Sequence, residues 1–103
     1  FMNSDATVTF LDIFPRLKKG VIIHIHDITL PYDYPPEWQA RFYSEQYVLA
    51  AYLLAEGNRY DILLANAFIS EDPELKTILS PLWNDSRMKG VQQHGYSFWI
   101  QVN

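Results

Sequence analysis

Hydrophobic positions change their spacing several times along the chain, and each change marks an element. Phe10, Ile13, Phe14 and Leu17 recur at helical intervals. Ser4 is a capping residue, Asp5 follows it in the first turn, and Lys18-Lys19-Gly20 forms a stop signal. Residues 4–19 therefore predict a helix, with a kink or break at Pro15. Residues 21–28 are apolar and β-branched apart from a polar end, the pattern of a strand buried on both faces in a parallel sheet. Pro31, Pro35 and Pro36 punctuate the loop that follows. Pro36 is expected to open a second helix that runs to about Glu56 and stops at Gly57-Asn58. Its predicted stripe is Trp38, Phe42, Leu49, Tyr52 and Leu53.

Residues 60–67 predict a second strand, and residues 74–79 a short helix opened by Pro73 and ended before Pro81. Residues 84–95 are polar and read as loop. In residues 96–102, Tyr96, Phe98 and Ile100 alternate with Ser97, Trp99 and Gln101, which predicts a closing strand. Helix, strand, helix, strand, short helix, strand is an α/β order, with helices covering a narrow three-stranded sheet.

Composition adds constraints on function. The 103 residues are 49% hydrophobic and 19% charged, which suits one small globular domain or part of a larger one. Aromatic residues reach 16%, more than a chain this short buries easily. A partner or further sequence is expected to cover some of them, and Trp83 and Trp99 read as core or interface. The net charge of −4 and scattered basic residues disfavour nucleic acid. With no cysteine, disulfides, thiol catalysis and Cys-ligated zinc are excluded. No apolar run approaches a membrane span and no signal peptide is visible, so a cytoplasmic protein away from membranes is expected. Phe1 precedes Met2, which suggests either an artificial leading residue or a piece of a longer chain.

The candidate chemistry lies at the end of the first predicted strand. Alternation places Ile22, His24, His26 and Ile28 on one face and Asp27 on the other, with Val21, Ile23 and Ile25. Ligands of open α/β sheets sit beyond the carboxyl ends of strands, where His26 and Asp27 stand. A histidine on a covered strand is ordinarily neutral and hydrogen-bonded, and His24, about 7 Å deeper, fits that description better. Glu45 falls within the apolar stripe of the second helix. It either pairs with Arg41 four residues back or orients His24 or His26. Asp33 and Tyr34, in the loop overhanging the strand end, are candidate substrate contacts or parts of a stiff connector.

Three segments, "FPRLKKGVIIHIHDITLPYDYPPEW", "EQYVLAAYLL" and "GYSFWIQ", together resemble the carboxyl-terminal half of class I S-adenosylmethionine-dependent methyltransferases, in a bacterial branch whose fifth strand ends in His-Asp. The resemblance implies a partial Rossmann-like sheet. Residues 21–28 would be its fifth strand, 60–67 its sixth, and 96–102 its seventh, antiparallel between the other two. It implies methylation of a hydroxyl on a small molecule or sugar, with S-adenosylmethionine as cofactor. His26 would be a general base, or His26 and Asp27 would be ligands to a divalent metal. The family's glycine-rich loop and ribose-binding acid have no counterpart here, so no cofactor-binding residue is expected in this chain.

Two other functions remain open. His24-x-His26 could place two imidazoles on the metal of a hydrolase, although the third imidazole, His94, lies in a polar loop. The aromatic excess and narrow sheet could instead serve a non-catalytic, self-associating domain, and a homodimer is expected under any of the three readings.

Overall fold

The computed structural model describes residues 4–103. Phe1 and Met2, on which the expectation of a longer chain rests, lie outside that range.

The first helical segment changes pitch twice. It starts as α1 (Asp5–Thr7), with the Ser4 side chain accepting from the Thr7 N–H. It widens to a π-helix over Val8–Ile13 and closes as a 3₁₀ turn over Phe14–Arg16. Pro15 supplies the reason: it has no N–H for the carbonyl four residues back, and its ring crowds that carbonyl. The helix ends at Arg16, three residues earlier than predicted, and Leu17 is already extended. Phe10 and Phe14 are buried, whereas Ile13 is turned outward.

Strand β1 (Ile22–Ile25) follows, shorter than the predicted 21–28. A 3₁₀ helix at Pro36–Arg41 precedes α2 (Glu45–Glu56). The predicted single helix over 36–56 is thus two pieces, broken where Phe42 takes a left-handed conformation at φ 55°. The predicted stop holds: Gly57, at φ 59°, ends α2. A further 3₁₀ turn, Gly57–Arg59, leads into β2 (Tyr60–Ala65). Next come three short helices, α3 (Asn66–Glu71), α4 (Leu75–Ile78) and α5 (Ser80–Trp83). Of these only α4 was predicted, and Pro81 opens α5 instead of ending helix formation. The polar stretch predicted as loop contains one 3₁₀ turn, Ser86–Met88. Last is β3 (Phe98–Val102).

The sheet order is β1-β3-β2, with β3 antiparallel to both neighbours. β1 and β2 are therefore parallel to each other. This is the strand order and direction that the resemblance implies for these segments. Among the described residues each outer strand pairs only with β3, so both sheet edges are open.

One face of the sheet carries the core. Phe98, Ile100 and Val102 of β3 pack with Phe10, Phe14, Ile28, Leu49 and Tyr60. Beneath them, polar groups finish the first helical segment. The Tyr60 hydroxyl donates to the Phe14 carbonyl (3.3 Å), and Arg59 Nη2 donates to the Pro15 carbonyl (3.0 Å). Carbonyls at a helix end lack partners within the helix, and these two side chains provide them. The other face is open. Ile22 is 56% exposed and His24 faces solvent, so β1 is not buried on both sides as predicted.

Candidate functional site

β1 and β2 run parallel and β3 runs against them, so three chain segments gather at one end of the sheet. They are residues 26–35 leaving β1, the start of α3 leaving β2, and residues 94–97 entering β3. Two backbone bonds tie them together, Ile28 N–H to the Tyr96 carbonyl (2.9 Å) and Asn66 N–H to the Ser97 carbonyl (3.0 Å). Gly95 is fixed by this crowding: a Cβ there would collide with the Asn66 side-chain amide.

The loop after β1 is built around two buried polar residues, Thr29 and Gln46. Gln46 Oε1 accepts from the Thr29 N–H (2.8 Å) and lies 2.9 Å from the Thr29 hydroxyl. Its Nε2 donates to the Tyr32 carbonyl (3.3 Å), and its own N–H donates to the Tyr34 hydroxyl (3.0 Å). The first turn of α2 thereby clamps the loop. Burial is the main cause that raises the Tyr34 hydroxyl above its usual range.

Glu45, the residue expected to face the core, is exposed. Its carboxylate accepts from the neighbouring Ser44 N–H (3.1 Å). The break at Phe42 explains the difference. Once α2 starts at Glu45, its inward stripe is Gln46, Leu49 and Leu53, and Trp38 and Phe42 no longer set the phase. A stripe counted from 46, with i, i+3, i+7 spacing, was the available signal for Gln46.

The predicted site residues divide between two places. His26 and Asp27 meet at the strand end, with His26 Nε2 3.3 Å from Asp27 Oδ1. Asp27 adopts φ 60°, a left-handed conformation that Asp tolerates better than most residues, and this ends the strand pairing. Together with Ile25, Tyr43 and Glu45 they line a cleft of about 210 Å³. Glu45 therefore does stand beside His26, from solvent and not from the core. His24 is separate, stacked on its cross-strand partner Trp99 with ring centroids 4.4 Å apart and planes 20° apart. The His24 and His26 rings are 6.3 Å apart, each engaged with a different neighbour. Among the described residues no group of three or more His, Asp or Glu is placed to hold a metal ion.

Asp33 and Tyr34 lie in the second place, a cavity of about 610 Å³ whose walls also include Thr29, Glu71, His94 and Tyr96. The Asp33 carboxyl accepts from the Tyr47 hydroxyl and from the Tyr34 N–H (2.7 Å). These two donors hold it below the usual carboxylate range, the Tyr47 hydroxyl being the larger cause. Glu71 and Tyr96 escaped the reading of the sequence as site residues, and His94 entered it only as a third imidazole, because only the sheet topology brings α3 and residues 94–96 to Asp33.

Among the described residues no helix is long and apolar enough to cross a membrane. No family model, curated protein or solved structure matches the chain.

Proposed function

We propose that this chain forms the acceptor-side half of an S-adenosylmethionine-dependent O-methyltransferase. The observation that carries the reading is the pairing of the β1-β3-β2 sheet with His26 and Asp27 at the carboxyl end of β1. That end is where open α/β sheets bind their ligands. In this reading His26 takes the proton from an acceptor hydroxyl, and Asp27, 3.3 Å from Nε2, orients and balances the imidazolium. Asp33 and Tyr34 contact the acceptor from the larger cavity.

The cofactor's methyl sulfonium would supply the electrophile. The residues described here do not fit the cofactor itself. Gly20 precedes β1, Gly57 precedes β2, and Gly90 and Gly95 lie in the segment before β3, so none stands in a turn that directly follows a parallel strand.

The test is transfer of a radiolabelled methyl group by the full-length gene product that contains these residues. His26→Ala is expected to slow transfer by roughly 10²- to 10⁴-fold, the usual contribution of a positioned base. Absence of cofactor binding by that product overturns the proposal. Tight cofactor binding by the 103-residue chain alone overturns the account of the missing pocket.

A second reading, self-association through a second copy, is favoured by the β2 edge. Ile62, Leu63 and Leu64 are exposed along a strand whose outer edge is unpaired among the described residues, and Ile62 lies beside Leu54 and Phe68. A strand edge of this kind templates pairing with another strand. Light scattering is expected to give a dimer mass that Leu63→Lys returns to a monomer. A monomer in the unaltered chain removes this reading.

A further inference from the structure

A second cleft, of about 290 Å³, opens on the other side of Asp33 and Tyr34 from the large cavity. Five of its seven lining residues are aromatic: Tyr34, Trp38, Phe42, Tyr43 and Tyr47. The only charge on its lining is the carboxylate of Asp33. Two donors, the Tyr47 hydroxyl and the Tyr34 N–H, keep that carboxylate ionised at neutral pH. Its walls are therefore π surfaces and one anion.

Cations are already drawn to these rings. The Arg41 guanidinium carbon stands 5.7 Å from the Trp38 ring centroid and 5.9 Å from that of Tyr43, within cation–π range of both. Arg41 does not line the cleft. The rings are held in place by one another, with centroids 5.4 Å apart for Tyr34 and Tyr47 and 6.1 Å apart for Trp38 and Tyr43. Tyr34 is also anchored through its hydroxyl to the Gln46 N–H (3.0 Å). Ordering of the site therefore costs a ligand little.

Phe42 is the odd member. It is a bulky residue in the left-handed region, and it is 89% exposed. Such a backbone is disfavoured for a large side chain, and the ring gains almost no burial in return. At the rim of a cleft, an exposed ring held this way has a use if alkyl groups of a ligand cover it.

We propose that this cleft binds a small organic cation, a quaternary or methylated ammonium, between the aromatic rings and the Asp33 carboxylate. An anionic ligand would face the Asp33 carboxylate across a lining that carries no cation, with Arg41 only behind the rings. A neutral ligand of the same shape would gain ring contact and lose both electrostatic attractions. The proposal shares Asp33 and Tyr34 with the transferase reading but stands or falls apart from it, because its test reads binding by this chain alone.

The test is titration of the full chain with choline and, separately, with dimethylbutanol, its uncharged carbon analogue, at matched ionic strength. The indole N–H signal of Trp38, assigned through Trp38→Phe, reports binding. Choline is expected to saturate in the millimolar range, and the neutral analogue to bind about tenfold more weakly. Asp33→Asn is expected to weaken choline about fivefold and leave the analogue unchanged. Trp38→Ala, which lacks that reporter and is followed by saturation transfer to the choline methyl protons, is expected to abolish binding. If that variant unfolds, Asp33→Asn, at an exposed position, decides the matter. Equal affinity for the two probes overturns the proposal, as does no saturation by choline below about 50 mM.

Discussion

β3 and β1 are hydrogen-bonded neighbours with similar apolar content, yet Phe98, Ile100 and Val102 are at most 2% exposed while Ile22 is 56% exposed. The difference comes from what lies on each face. Side chains on the covered side of the sheet meet Phe10, Phe14 and Leu49, and Ile23 and Ile25 of β1 share in that packing. Ile22 and His24 face the other way, level with Gln101 and Trp99. Alternation in β3 marked its two faces correctly because a polar or amphipathic residue stood at every second position. In β1 both faces are apolar at Ile22 and Ile23, and only the alternation of Ile23 and Ile25 with His24 and His26 marks which one is covered. A continuous apolar run thus describes what a strand could bury, and the surrounding layers decide what it does bury.

The contrast is broken most strongly at its buried end. Ile100 is 0% exposed and sits in the centre of the covered face. Ile100→Ala is expected to destabilise the chain by about 2–5 kcal/mol, measured by chemical denaturation. A loss below about 1 kcal/mol would mean that the covered face is loosely packed and that the two faces differ less than their exposures suggest.

A smaller effect is expected where the core passes into the site. Gln46 is fully buried, and its amide serves the Thr29 N–H and the Tyr32 carbonyl. Gln46→Leu preserves the volume approximately and strands a buried donor, at a cost of about 1–3 kcal/mol. Amide exchange at Thr29 should accelerate by more than exchange in β3. Equal acceleration in both would show that Gln46 supports the whole core and has no special hold on the loop.

Gln46 also shows how far the sequence could be read. The three strands and the closing alternation follow from periodicity and turn residues, which act locally, whereas the sheet order was implied by the resemblance alone. The stop at Gly57 and the cap at Ser4 are equally local. The site depends on phase, and phase was lost at Phe42, whose left-handed backbone has no sequence signal in a bulky residue. That one break moved the inward position from Glu45 to Gln46. His26 with Asp27 was legible because both sit on one strand end. The grouping of Asp33 with Glu71, His94 and Tyr96 was not, since it joins segments some 40 to 60 positions apart through the sheet order.

The smallest effect is expected on the open face, and it is the sharpest test of the comparison. Ile22→Ala removes apolar atoms that are more than half exposed, so the change should lie within about 0.5 kcal/mol. His24 complicates that face, because its ring is stacked on Trp99 and shields part of it. His24→Ala would remove the stacking contact, worth about 0.5–1.5 kcal/mol for paired rings in general and less at an exposed site. Ile22→Ala is therefore the cleaner variant. A cost above about 1.5 kcal/mol in the isolated chain would mean that Ile22 is covered in solution. A mass measurement on the same sample would then separate the two ways of covering it. If the cost falls on dilution to monomer, a second copy lies against the face; if it persists in a monomer, the loop and helices of this chain close over it.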